Sequence, residues 1–294
     1  MVRENDRCSS MASLDLRPID DSNVDAAASM LERGFPERGR AFWEAGIQRI
    51  LTMHDAARHP PIGYLMSVGN DSAGVVLTIP SQRPGALGPI NVIHLAAWYM
   101  EEQYRWLALR MMKKIVAAAN TVFFDLTPNE AAQMINRRLG FDLLAEGFLI
   151  YLLPFTALRF GGQGRIESLA QAADELSPYD RQMLEQHHGL GCLVGALRSG
   201  SRVSPIIFAP MQRRRLPGAR LIRAESKALV TANLGAISRF LLRHNVFFLR
   251  MDATRQDSMA GSFAARWTEP TFVKGERSGA EVDLTYSEFV FLGT

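Results

Sequence analysis

The sequence predicts an α/β protein in which a mixed central sheet is flanked by helices, laid out as two tandem copies. Three observations carry that expectation. Short apolar runs of strand type alternate with longer segments of helical period, the pattern of a sheet covered by helices. Three glycines in four positions, within Arg159-Phe-Gly-Gly-Gln-Gly-Arg165, break the chain near its middle. The order hairpin, strand, helix, strand then recurs, and Val-Phe-Phe appears at Val122 and again at Val246, about 125 residues apart.

Composition narrows the classes. The chain has 294 residues, 47% of them hydrophobic, enough for an ordinary core in one large domain or two small ones. Its 33 Lys+Arg against 30 Asp+Glu give a formal charge of +3, too mild to imply nucleic-acid binding by itself. Two cysteines, Cys8 and Cys192, can build neither a disulfide framework nor a thiolate cluster. A reducing, cytoplasmic setting is expected. The N-terminal Met1–Asp15 has basic residues with no apolar run behind them, unlike a secretory signal, and is read as a loose terminus over residues 1–15. The longest apolar stretch, Phe148–Leu158, is broken by Pro154 and is far shorter than the roughly 18 residues a membrane span needs.

In the first segment, residues 16–158, Leu16–Ile19 reads as an edge strand. Val24–Met53 is helical and is split into two helices by Gly34-Phe-Pro36 and Gly46. Ile62–Val68 and Ala73–Ile79 flank Gly69-Asn-Asp-Ser72 as a hairpin. Ile90–Trp98 is apolar enough for a central strand. Tyr104–Ala119 has helical spacing, with Leu107, Met111, Met112 and Ile115 on one face. Thr121–Leu126 is a buried strand, Thr127-Pro128 a helix entry, and Ala131–Leu139 a helix stopped by Gly140. Phe141–Leu158 supplies the closing strands.

In the second segment, residues 159–294, Arg165–His188 reads as helical, with Ser177-Pro178 as a cap and first-turn signal. Cys192–Leu197 and Val203–Phe208 form a hairpin around Arg198–Arg202. Leu221–Ser226 is a candidate strand, Ala228–Arg243 a candidate helix and Val246–Met251 a strand.

This order of elements, with Trp98-Tyr-Met-Glu-Glu-Gln-Tyr-Arg-Trp-Leu-Ala-Leu-Arg110, Leu126-Thr-Pro-Asn-Glu-Ala131 and Arg138-Leu-Gly-Phe141, resembles the GNAT acyl-CoA N-acyltransferase superfamily over residues 16–158. The second half is read as a degenerate repeat. The resemblance implies acetyl-CoA or another acyl-CoA as cosubstrate and a small-molecule or peptide amine as acceptor. It places the family's pyrophosphate loop, Arg/Gln-x-x-Gly-x-Gly/Ala, on Arg105–Arg110, preceded by Tyr104. There, backbone amides at a helix start would face phosphate. Ala108 and Arg110 stand where the family has glycine. Arg105 and Arg110 are either phosphate partners or the wet face of a helix. Asn129 matches a cofactor-contacting Asn, or is a polar residue in a helix's first turn. Four positions before Gly140, Asn136 stands where many members have a Tyr acid.

For the chemistry, a splayed strand end at Trp98–Met100 would polarise the thioester carbonyl through a backbone N–H. Glu101, Glu102 and His94 are the candidate bases, with Asp125 behind them, and Tyr99 the substitute acid. A plain reading stands beside each: a Glu next to a loop is usually solvated, and a His in an apolar strand is usually core. Should the substitutions abolish turnover, the alternative is a catalytically inactive GNAT-like binding or regulatory protein. No metal is expected, because His187-His188 and Cys192 lack paired ligand spacing. Gly161–Gly164 has neither the P-loop Lys-Ser/Thr nor the dinucleotide pattern and reads as a hinge. Arg213-Arg-Arg215 is the densest basic run, read as a solvated loop or an anion contact. Neither nucleic acid nor membrane is an expected partner.

Overall fold

A computed structural model describes residues 14–85, 88–159, 164–277 and 279–293. Cys8, most of the N-terminal segment and most of the glycine-rich break therefore lie outside the described residues. In chain order the elements are β1 (Leu14–Pro18), α1 (Val24–Gly34), α2 (Arg40–Met53), β2 (Gly63–Val68), β3 (Asp71–Gly85) and β4 (Gly88–Met100). A 3-10 helix (Glu102–Leu107) leads into α3 (Ala108–Ile115), followed by β5 (Thr121–Asp125), α4 (Glu130–Arg138), β6 (Asp142–Ala145), β7 (Gly147–Leu152) and α5 (Leu153–Thr156). Then come β8 (Arg165–Glu167), α6 (Leu169–Ala172), α7 (Pro178–Gly189), β9 (Leu193–Ser199), β10 (Arg202–Arg213) and β11 (Leu216–Ala224). The chain ends with α8 (Lys227–Ala232), α9 (Leu234–Arg243), β12 (Phe248–Ala253), β13 (Ala264–Arg266), β14 (Thr271–Lys274), β15 (Val282–Asp283) and α10 (Glu288–Phe291).

By packing, the chain divides into two compact units. Of the described residues, one unit holds those up to Met53 with Pro61–Thr78 and Ala97–Ala117; the other holds His54–Pro60 and those within Ile79–Ala96 and from Ala118 onward. In the first unit α1 buries Ala27, Ala28, Met30 and Leu31, and α2 buries Trp43, Ile47 and Ile50, the i, i+3, i+4 spacing of one apolar face. In the second unit Leu149, Tyr151, Phe208, Leu249 and Met251 point to one side of the sheet, where Val230, Leu234, Ile237 and Leu241 of α8 and α9 cover them.

Two mixed sheets result. The first has seven strands in the order β1-β2-β3-β4-β5-β14-β6, and the second runs β8-β9-β10-β11-β12-β7-β13. The orders correspond position by position, with an inserted strand before the last. β4 pairs parallel with β5 and β11 parallel with β12; each parallel pair is joined by a helical crossover, as parallel pairing requires.

The inserted strands are exchanged. β7 follows β6 in sequence, yet it pairs antiparallel with β12 and β13 in the second sheet. β14 comes from the chain's C-terminal part and sits between β5 and β6. Phe141–Leu158, read as the closing strands of the first half, is thus divided between the sheets. Both β7 and β14 are almost wholly buried, and an apolar run that is buried on both faces carries no mark of which sheet receives it.

Other local differences have local reasons. Arg165–Glu167 is an edge strand paired with β9, and helix starts only at Leu169, where Ser168 and Gln171 form a capping box. The helix expected over Ala228–Arg243 is interrupted at Asn233, whose side chain donates to the Leu229 carbonyl. The helix expected from Tyr104 begins as 3-10 and becomes α only at Ala108.

Candidate functional site

In the first unit the end of β4 carries Trp98, Tyr99 and Met100. Met100 is buried in the core, whereas Trp98 and Tyr99 are half-buried. The Tyr99 hydroxyl donates to Glu101 Oε2 at 3.0 Å, and Arg33 Nη1 lies 2.9 Å from Glu101 Oε1 as an ion pair. Partial burial and the neighbouring Glu101 carboxylate raise the phenol above its ordinary value, so it stays protonated at neutral pH. Two glycines make room for this group. A Cβ on Gly34 would lie 2.4 Å from the Tyr99 ring, and one on Gly74 would lie 2.4 Å from the Tyr99 carbonyl oxygen. The ring therefore rests on the end of α1, and β3 closes against the β4 backbone. Sequence reasoning read Gly34 only as a helix break and tied none of Arg33, Gly34 and Gly74 to Tyr99, because nothing local does.

The segment expected to cradle phosphate takes another form. In 3-10 geometry each N–H bonds three residues back, and the Ala108 amide donates to the Arg105 carbonyl. The Tyr104 amide donates to the Glu101 carbonyl. Amides left over at the helical start thus fall at Glu102 and Gln103, not within Arg105–Arg110. Tyr104 is tied by its hydroxyl to Asp71 at 2.7 Å. Ala108 is buried, and Glu102, Arg105 and Arg110 are exposed. Neither Arg105 nor Arg110 has an ion pair among the described residues.

In the second unit the β4–β5 ladder runs from Asn91↔Thr121 to His94↔Phe124 and stops, although β4 continues to Met100. No strand among the described residues pairs with β4 on that side beyond His94. His94 is fully buried and stacked on Phe124 at 4.9 Å. Burial, helped by the Arg83 cation, pushes its pKa down to about 3, so the ring is neutral. Asp125, at the end of β5, is buried, and Asn136 Nδ2 donates to its Oδ2 at 2.8 Å; burial pushes this carboxyl up to about 6. Asn136, at the family's Tyr position, therefore serves as a buried partner of Asp125. Asn129 is the N-cap of α4, its Oδ1 accepting from the Ala132 amide at 2.9 Å. His187 is locked between the Met183 carbonyl and the Tyr286 amide, and burial pushes the Cys192 thiol up to about 12.

The corresponding place in the second sheet is filled by the chain itself. The β11–β12 ladder covers only Gly218↔Phe248 to Arg220↔Arg250. Beyond it β15 pairs with β11 at Arg223 and Ala224. One residue earlier, Glu281 Oε2 accepts from the Lys227 amide at 3.0 Å, where the positive end of α8 favours an anion. Asp283 is held by Arg83 at 3.1 Å and by Arg223. Glu281 lies too far from Lys227 in sequence for any spacing rule to join them.

No protein-family model matches the chain, and no curated protein sequence matches it. Solved structures do. A GCN5-related N-acetyltransferase from Anabaena variabilis superposes with a TM-score of 0.54 at 11% identity, over 89% of this chain and 72% of that one. A conserved protein of unknown function from Enterococcus faecalis V583 gives 0.54 at 10% identity, over 93% and 74%. A GCN5-related N-acetyltransferase from Kribbella flavida gives 0.50 at 12%, over 89% and 70%. The chain has the fold of the GCN5-related N-acetyltransferases, and its two sheets of matching order fit a tandem arrangement.

Proposed function

We propose that the chain is an acyltransferase that moves an acyl group, acetyl as the first candidate, from acyl-CoA to a small-molecule or peptide amine. The observation that carries this reading is the parting of β4 from β5 at His94: it leaves the end of β4 without a second partner among the described residues, whereas its counterpart in the second sheet is closed by β15 and Glu281. In this reading residues 16–158 form the competent copy and 159–294 the degenerate one. Backbone N–H groups from Trp98 to Met100 polarise the thioester carbonyl. The guanidiniums of Arg105 and Arg110, without an ion pair among the described residues, contact the cofactor with Tyr104 in the 3-10 segment and Ala108 at the start of α3. Glu101 or Glu102 accepts the amine proton. Tyr99, protonated and hydrogen-bonded to Glu101, returns a proton to the departing thiolate. His94, buried and neutral, is assigned to packing on Phe124. With two cysteines and a modest net charge, a cytoplasmic setting is the natural one.

A second reading, a GNAT-fold binding protein without turnover, is favoured by one specific observation: the Ala108 amide is engaged by the Arg105 carbonyl. Calorimetric titration with acetyl-CoA and longer acyl-CoAs, followed by thiol-release assays over a panel of amines, separates the two. Binding with turnover, weakened about tenfold or more by Arg105→Glu/Arg110→Glu, supports the transferase. Binding without turnover selects the second reading, and no acyl-CoA binding at all sinks both.

A further inference from the structure

The face of the second sheet opposite α8 and α9 is open along β7, β12 and β10. Its floor is apolar: Phe148, Ile150 and Phe248 are buried together, with Leu152 and Met211 against them. Above this floor lies a cavity of about 350 Å³, within the size range of small-ligand sites. Its wall combines the floor with Leu216 and Phe263, two side chains that are 43% and 72% exposed despite their apolar character.

Three guanidiniums complete the lining: Arg213, Arg214 and Arg266. No carboxylate joins them there, and none of the three has an ion pair or hydrogen bond among the described residues. Glu269 lines the adjoining inner cavity of about 150 Å³ together with Arg213, Arg250 and Arg266, and is paired with Arg250 at 2.8 Å. The Arg250 guanidinium in turn sits over the Phe148 ring at 3.7 Å. Glu269 thus answers Arg250, and the guanidiniums of Arg213, Arg214 and Arg266 are left without an ion partner among the described residues.

The turn that presents the arginines is itself unusual. Arg213 pairs with Leu216, so Arg214 and Arg215 alone connect β10 to β11, at φ 48° and 69°. A two-residue hairpin with both φ values positive selects Asn-Gly, because a Cβ is strained there. Backbone strain of this kind persists where side-chain chemistry requires it. We propose that this cavity binds a small amphipathic anion, a single alkyl or aryl body bearing a carboxylate or phosphate. The body lies on Ile150, Phe248 and Phe263, and the head meets Arg213, Arg214 and Arg266. This site is separate from the acyl-transfer reading and does not depend on it.

Calorimetry with the full chain tests this, using decanoate and decyl phosphate below their micelle concentrations. Binding of either is expected, about tenfold or more weaker for decanol, with none for inorganic phosphate. Arg213→Gln/Arg266→Gln, at a half-buried and an exposed position, and Phe263→Ser, at an exposed one, each weaken it about tenfold while the melting temperature holds. Arg214→Asn/Arg215→Gly raises Tm by about 2–4 °C and still weakens anion binding, a combination that a merely structural turn would not produce. Failure of both probes to bind, equal affinity in the variants, or displacement of decanoate by unacylated CoA overturns the proposal. Salt-steep binding of single-stranded DNA in place of the two probes would assign the arginines to nucleic acid and likewise overturn it.

Discussion

Two buried carboxyls behave oppositely for reasons that lie in their neighbours. Asp283 is pushed up by burial, but the Arg83 and Arg223 guanidiniums outweigh that and hold it below the ordinary carboxylate range. Removing its charge leaves Arg83 uncompensated in the interior and Arg223 with only Asp180 at 3.8 Å, so Asp283→Asn should cost about 3–5 kcal/mol in denaturant unfolding, the usual price of breaking a buried pair. A loss under about 1 kcal/mol would deny Asp283 this part. At Glu288 the balance falls the other way, because the Arg220 cation does not offset burial. Glu288 is 1% exposed, its Oε1 accepts from Thr127 at 3.4 Å, and burial with Asp125 nearby pushes it up to about 8. A carboxyl raised in the fold binds more protons there than in the unfolded chain above pH ~4.5. The stability tied to that proton is full below this pH and is lost as pH rises through about 8. Glu288→Gln, which cannot ionise, should therefore gain on the wild type in Tm between pH 6 and 9, by about 5 °C or more. Parallel Tm curves across that interval would count against a buried, protonated Glu288.

Among the elements, α1 and β3 set the end of β4 through residues that have no side chain. With Gly34 against the Tyr99 ring and Gly74 against the Tyr99 carbonyl, a single methyl group must displace the Tyr99–Glu101–Arg33 group. Overpacking of this sort costs about 1–3 kcal/mol. Gly34→Ala should thus lower Tm by several degrees and shift the Tyr99 ring resonances, both readable by calorimetry and NMR. An unchanged Tyr99 environment would show that the ring does not rest on Gly34. The contrast between the sheets is also an element-scale matter. β4 beyond His94 has no second partner among the described residues, and β11 beyond Arg220 is paired with β15.

Across the whole molecule, the exchange of β7 and β14 makes each sheet depend on the other half of the sequence. A fragment of residues 16–158 lacks β14 and carries β7 without its partners, leaving β5 and β6 with unpaired edges and an apolar strand in solvent. Expressed alone, it should melt without a cooperative transition. Co-expressed with residues 159–294, it should recover one. A cooperative, monomeric melt of the isolated fragment would contradict the exchange.

The sequence by itself determined the elements and their order wherever the signal is local. Ser177 with Pro178 starts its helix, Gly140 stops α4, and the hairpins at Gly69 and Gly200 form between apolar runs. These depend on a few neighbouring dihedrals and hydrogen bonds, which residue type alone biases. Local order was enough to suggest a GNAT-like layout. Tertiary structure decided the rest. Which sheet takes β7, which residue meets the α8 amide, and that Asn136 faces Asp125 are matters of long-range packing. Apolar runs and carboxylates are interchangeable to a local reading, because burial energy is non-directional and an anion at a helix start satisfies the same amides wherever in the chain it originates.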